Sequence, residues 1–314
     1  MTASASTSAS SPVSPLRRFA PLVAAGVLAC LASVGCSTNP ATGQSQLNFL
    51  SEDQEVQLGE QNAPEVLKEL GGELNSPTIQ QHVESIGMKM AKLSERPDLP
   101  WHFYVVDTEV INAFALPGGK IFITRGLISK MDNDAQLAGV LGHEVGHVTA
   151  EHAGQQMAHD TIVGIGAAGV AAGASYASDE EWVATAAGVG AGLAAKGLVL
   201  RYSRSHESQA DSLGLRYMTK AGYNPIGLIQ VMEILRSEAS AGAMPEFMLT
   251  HPLPETRVGA IEAEIAKAYP GYDQPGRYEM GFESFKQNVA IPLSKLPAAK
   301  GQRPQEQEAG DSGQ

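Results

Sequence analysis

With 314 residues, 43% of them hydrophobic and 18% charged, the chain can bury one substantial core and is not long enough to demand several domains. A formal charge of −12 excludes nucleic acid and anionic lipid surfaces as electrostatic partners. The cysteines, Cys30 and Cys36, both lie near the front, so the residues beyond Cys36 cannot form a disulfide among themselves.

In chain order, Arg17 and Arg18 precede an apolar run, FAPLVAAGVLACLASVG, that ends in small residues. That is the layout of an export signal, assigned to residues 1–35. The arginine pair raises a twin-arginine route, but Phe19 follows it too closely for a good match. Ser33 and Gly35 ahead of Cys36 resemble a bacterial lipobox, in which this cysteine becomes the acylated mature N-terminus. The alternative is an ordinary signal peptide cut nearby. Ser37 after the cysteine points to the outer membrane, with the protein facing the periplasm. Acyl chains contribute about 0.8 kcal/mol per buried methylene, so outer-membrane lipid can hold the chain without a spanning helix.

Residues 36–50 read as an extended, lipidated tether, residues 51–295 as the folded domain, and residues 296–314 as a disordered Pro/Gln/Gly-rich tail. Ser51 and Gln54 form a capping-box pattern that opens a helix to about Leu70. Ser76 and Pro77 start a second helix, with Ile79, Val83, Ile86, Met90 and Leu93 at helical spacing. WHFYVVD (101–107) reads as a strand, and VINAFALPGGKIFITRG (110–126) as a hairpin around a PGG turn. Asp132 or Asn133 caps a helix running to about His159. Further helices are expected at 225–238, behind Asn224, and at 254–268, where Val258, Ile261 and Ile265 share one side. Segment 161–197 admits two readings. Its Ala/Gly-rich runs form either membrane-inserting helices or loosely packed soluble helices, the second including a mobile flap. The whole is an α+β domain, mainly helical around one small sheet.

The stretch LGHEVGH (141–147) carries the chemistry. His143 and His147, four apart on a helix, share a face and reach one Zn²⁺ at about 2.0–2.1 Å. Glu144 lies roughly 100° round the helix, placed to take a proton from water at the metal. Leu137, Val140, Leu141, Val145 and Val148 make the helix a buried one, where unpartnered histidines would be unfavourable. Gly142 and Gly146, each about 1 kcal/mol worse than Ala in a helix, are tolerable where another backbone comes close, for example beside a crowded metal centre. A third ligand is needed. Ala150 and Ala153 occupy the positions that an extended HExxHxxGxxH motif would fill, and His152 is off that step, read as supporting a ligand or lying on the surface. In SRSHESQADSLG (203–214), Glu207 is the best candidate, with Asp211 one turn later to accept a ligand histidine's ring N–H. Glu151, Glu180 and Glu181 compete with Glu207.

HEVGHVTAEH, then Ser203, Arg204, Glu207, Ala210 and Asp211 in SRxxExxAD, then THPLPETR (250–257), resemble the zinc metallopeptidase family that includes HtpX and the CAAX prenyl endopeptidases. The front from Cys36 is similar to its bacterial outer-membrane lipoprotein branch. The resemblance implies a zincin-type (gluzincin) fold and one Zn²⁺ held by His143, His147 and Glu207, with Glu144 as base. His251 and Arg257 line the cleft, and in some relatives the histidine matching His251 instead caps the zinc in a latent state. Asn112, Ala113, Phe114 and Ala115 resemble the family's substrate-side strand; the alternative is an ordinary core hairpin.

The implied activity is endopeptidase cleavage of unfolded or misassembled envelope proteins. A rival is an envelope assembly factor or chaperone with a largely latent site, working with the envelope assembly machinery. Too few residues follow position 270 for three helical repeats of about 34 residues, which weighs against that rival. An integral membrane peptidase for prenylated tails would need several long apolar spans, and only 161–197 is a candidate.

Overall fold

A computed structural model describes residues 36–174, 201–242, 244–253 and 255–299. The expected export signal, Glu180 and Glu181, the second half of segment 161–197 and most of the expected tail lie outside the described residues.

The chain opens with a short antiparallel pair, β1 (Cys36–Thr38) and β2 (Ser45–Leu47). The segment expected to be an extended tether is therefore a hairpin, and it packs on the domain. Buried Asn39 donates from Nδ2 to the Thr149 carbonyl at 3.2 Å. Helix α1 (Glu52–Glu69) starts with the expected reciprocal cap between Ser51 and Gln54, and α2 (Pro77–Ala91) has its proline in the first turn. Ile79, Val83, Ile86 and Met90 are buried as the spacing requires. Leu93 lies beyond the helix end and is 39% exposed, so it does not belong to that face.

Three strands form the sheet: β3 (His102–Val106), β4 (Ala113–Leu116) and β5 (Lys120–Thr124). The expected β4–β5 hairpin is present, with Ala113 opposite Ile123, and β3 adds parallel to β5 on the other side. The order β3-β5-β4 leaves β4 at an edge. The short α3 (Arg125–Ile128) leads to α4 (Asp134–Thr149), which is buried along its whole length. Asn133 caps α4, its side-chain oxygen accepting from the Gln136 N–H at 2.9 Å.

The helix does not continue to His159 as expected. It ends at Ala150, and Glu151 turns the chain with φ of +57°, an uncommon conformation for a residue with a side chain. Distant groups hold that turn. The Asn48 amide donates to Glu151 Oε2 at 2.8 Å and the Gln46 amide joins it there, while Arg96 donates to the Val148 carbonyl at 3.0 Å. From the turn, α5 (His152–Ala174) departs in a new direction. After it come α6 (Arg204–Lys220), α7 (Ile226–Ser240), α8 (Phe247–Thr250), α9 (Glu255–Ala268) and α10 (Phe282–Phe285); a π-helical turn then leads into α11 (Ile291–Ser294). Among the described residues, no helix is long and apolar enough to cross a membrane.

Helices α4 and α6 touch backbone to backbone. A Cβ on Gly146 would stand 2.8 Å from the Ala210 carbonyl oxygen, one on Gly142 3.1 Å from the Gly214 carbonyl oxygen, and one on Gly214 2.9 Å from the His143 nitrogen. The glycines of the histidine motif thus make room for a second helix rather than for the metal. Glu207, Asp211 and Gly214 recur on one face of α6, so the same seam brings both carboxylates to the histidines. Replacing Gly146 with Ala forces the helices apart and is expected to lower stability by about 1–3 kcal/mol. Gly259→Ala, in α9 with nothing within 4 Å of its new methyl, is expected to raise it by about 1 kcal/mol. Denaturant unfolding of the two variants checks the contrast.

Candidate metal centre

Four elements supply one buried cluster. Helix α4 contributes His143, Glu144 and His147; α6 contributes Glu207 and Asp211; the residue after α8 is His251; and α9 carries Arg257. The Nε2 atoms of His143 and His147 lie 3.0 Å apart. Glu207 Oε2 is 3.5 Å from His143 Nε2 and Glu207 Oε1 is 3.4 Å from His147 Nε2. His251 Nδ1 stands 3.4 Å from His143 Nε2 and 2.9 Å from Glu207 Oε1. Ligand atoms held tetrahedrally at about 2.0–2.1 Å from an ion sit roughly 3.3 Å apart, so this set fits one cation. All four residues are buried and offer atoms within 4.8 Å of one another.

The charges make the same case. Glu144, Glu207 and Asp211 bring three buried carboxyl groups together. Among the described residues the permanent cation paired with them is Arg257, which reaches Asp211 at 2.6 and 2.7 Å and Glu207 Oε2 at 2.5 Å. With all three carboxyl groups ionised and the histidines neutral, the set would be two positive charges short, the charge of a divalent ion. Both Glu144 oxygens, Glu207 Oε2 and His251 Nε2 also lack hydrogen-bond partners among the described residues, although buried polar atoms normally have one. For Glu207 Oε2 the short contact to Arg257 is an ion pair without hydrogen-bond alignment.

Burial raises the Glu144 carboxyl above its ordinary value, the direction a proton-transfer group needs. Burial also lowers His147 well below its ordinary value, leaving a neutral ring with a free lone pair. At His251 burial acts in the lowering direction, but the charges of Glu207 and Glu144 outweigh it and raise the value.

The sequence-derived candidates fall as follows. His143, Glu144, His147, Glu207, Asp211, His251 and Arg257 converge. Asp211 accepts from His143, with Oδ1 2.9 Å from Nδ1. Arg257 is buried and ties Asp211 and Glu207 together. Asn112, Ala113, Phe114 and Ala115 are buried, and β4 is an outer strand of the sheet. Glu151 serves the turn after α4 and is not in the cluster. His152, which the sequence left as a supporting or surface residue, is fully buried with Nδ1 3.0 Å from His147 Nδ1, and burial pushes it down to about 3. Tyr202, which no sequence signal marked, stacks on His147 with ring centres 4.0 Å apart. Of these residues, only the histidine pair and the Glu207–Asp211 pair carry a local spacing signal.

The chain belongs to peptidase family M48, whose pattern matches residues 77–265. The Beta-barrel assembly-enhancing protease of Escherichia coli (strain K12) is 31% identical over 229 residues, covering 70% of this chain and 46% of that protein. The Mitochondrial metalloendopeptidase OMA1 of Schizosaccharomyces pombe is 28% identical over 235 residues, covering 73% of this chain and 66% of that protein. The Metalloendopeptidase OMA1, mitochondrial, of Danio rerio is 28% identical over 248 residues, covering 73% and 50%. The chain spans about half the length of most of these relatives. The family is one of metallopeptidases, and the buried cluster fits a metal ion within it.

Burial alone would raise Asp211, but the charge and paired hydrogen bonds of Arg257 outweigh it and hold the carboxyl below its ordinary value. A carboxylate lowered in this way stabilises the fold above its unfolded value of about 4 and loses that contribution as pH falls through the folded value. Arg257→Met is therefore expected to move the acid-unfolding midpoint to higher pH. It should also lower stability at pH 7 by about 3–5 kcal/mol, because two buried carboxylates lose their partner. Denaturant unfolding across a pH series, with chelator present, measures both.

Proposed function

We propose that the chain is a zinc endopeptidase that cleaves unfolded or misassembled proteins of the bacterial envelope. The observation that carries this reading is the convergence of His143 Nε2, His147 Nε2 and Glu207 beside the unpartnered carboxylate of Glu144. In this reading those three residues hold one Zn²⁺, which when bound supplies Lewis acidity toward water and a peptide carbonyl. Glu144 accepts a proton at a carboxylate oxygen as water attacks, and delivers it to the leaving amine. Asp211 keeps the His143 proton on Nδ1, so that Nε2 faces the metal. As the outer strand of the sheet, β4 would pair its free side with an extended peptide, which favours unfolded chains over any one side-chain sequence. Names of the relatives support the substrate class: one set acts in β-barrel assembly and the other consists of metalloendopeptidases.

The same reading takes residues 1–35 as an export signal and Cys36 as the acylated end, in the outer-membrane lipoprotein branch, with the HtpX-like residues as its enzymatic part. The anchor then sits at the first residue of β1, directly beside the folded domain. His251 favours a resting form within this account. Its Nδ1 lies 2.9 Å from Glu207 Oε1 and 3.4 Å from His143 Nε2, so a neutral His251 ring would be within reach of an ion that those residues hold.

With the full-length protein and a denatured protein substrate, Glu144→Gln is expected to lower cleavage about 10²–10⁴-fold while leaving bound zinc unchanged. Equal cleavage by wild type and this variant would overturn the reading. A Glu144→Gln chain that rescued every loss-of-function phenotype would favour the assembly-factor reading instead. His251→Ala is expected to raise cleavage, and a fall would assign that ring to transition-state stabilisation.

A further inference from the structure

The two histidines of the motif are supported in different ways. His143 leans on a carboxylate, Asp211, whereas His147 leans on another imidazole. His147 Nε2 points at the cluster, 3.0 Å from His143 Nε2, and its Nδ1 lies 3.0 Å from His152 Nδ1. His152 Nε2 lies 2.9 Å from Gln209 Oε1, and Gln209 Nε2 donates to Gln44 Oε1 at 2.9 Å. If His147 Nε2 offers its lone pair, its proton must be on Nδ1 and His152 Nδ1 must accept. The His152 proton is then on Nε2 and goes to Gln209 Oε1, which leaves the Gln209 amide N–H₂ for Gln44. Every link is satisfied in this one direction.

We propose that His152 is the positioning residue for His147, fixing its tautomer and ring through a relay that runs by Gln209 to Gln44 on the N-terminal hairpin. This rests on the reading of His147 as a metal ligand. A neutral acceptor suits the place. The cluster already holds three carboxyl groups against Arg257 and one divalent ion, and a carboxylate at position 152 would leave an extra buried negative charge. The turn at Glu151 is what delivers the ring. An uninterrupted helix would place residue 152 five positions beyond His147, away from its face. The side chains of Gln46 and Asn48, which hold Glu151, come from the same N-terminal hairpin and its exit as Gln44.

Zinc affinity of the full-length chain, read by competition with a chelating dye, tests the proposal, together with the visible absorption of the cobalt-substituted protein. His152→Phe keeps the ring volume but removes the acceptor. It is expected to weaken zinc binding about 10–100-fold and to alter the cobalt spectrum. His152→Asn, whose side-chain oxygen can accept in place of Nδ1, is expected to restore most of the affinity. Gln209→Leu, at a partly exposed position, releases His152 from its tautomer and is expected to weaken binding less; it decides the matter if the Phe variant does not fold. Wild-type affinity in Gln209→Leu and His152→Phe, or equal loss in the Phe and Asn variants, overturns the relay alone. A wild-type chain that binds no zinc overturns the metal reading and the relay with it.

Discussion

Three buried carboxyl groups facing one guanidinium set the terms for the rest of this fold. Such a group of acids is unstable in a dry interior unless positive charge is supplied, and Arg257 supplies one unit of the three. A divalent ion would supply the remainder, and two imidazole nitrogens already point at the place where it would sit. The arrangement makes sense as a preformed grip: the protein bears the strain of gathered charge, and the ion relieves it on binding.

What gathers the charge is a seam of small residues. Gly142, Gly146, Ala210 and Gly214 let α4 and α6 meet without side chains between them, so a carboxylate from one helix reaches the rings of the other. Arg257 then crosses from α9 to lock Asp211, and Asp211 locks His143. The N-terminal hairpin closes the opposite side. Asn39 and Arg96 satisfy carbonyls at the end of α4, while Gln46 and Asn48 hold the unusual turn that follows. Residues beside Cys36 in sequence thus brace the metal helix in space.

The sequence shows this site only as far as local periodicity reaches. His143 and His147 announce themselves because both fall on one helical turn, and Glu144 follows by helical geometry. Glu207 and Asp211 repeat that spacing, which made Glu207 the best candidate ahead of Glu151, but nothing local says which helix they face, and resemblance to a peptidase family added to that preference. The break at Ala150 is invisible for a physical reason. No glycine or proline marks it, and the side chains that stabilise Glu151 come from a hundred residues earlier. The hairpin of β4 and β5 is legible from its PGG turn, whereas the parallel pairing of β3 is a tertiary fact. Gly142 and Gly146 were legible as sites of close approach, and the structure names a different neighbour, the backbone of α6.

The central claim is that one divalent ion is held jointly by α4 and α6. Elemental analysis of the purified full-length chain tests it most directly, with wild type compared against His143→Ala and Glu207→Ala. One zinc per wild-type chain, with little in either variant, is the result this account predicts. Stoichiometric zinc retained by Glu207→Ala, or none in the wild type, would contradict it.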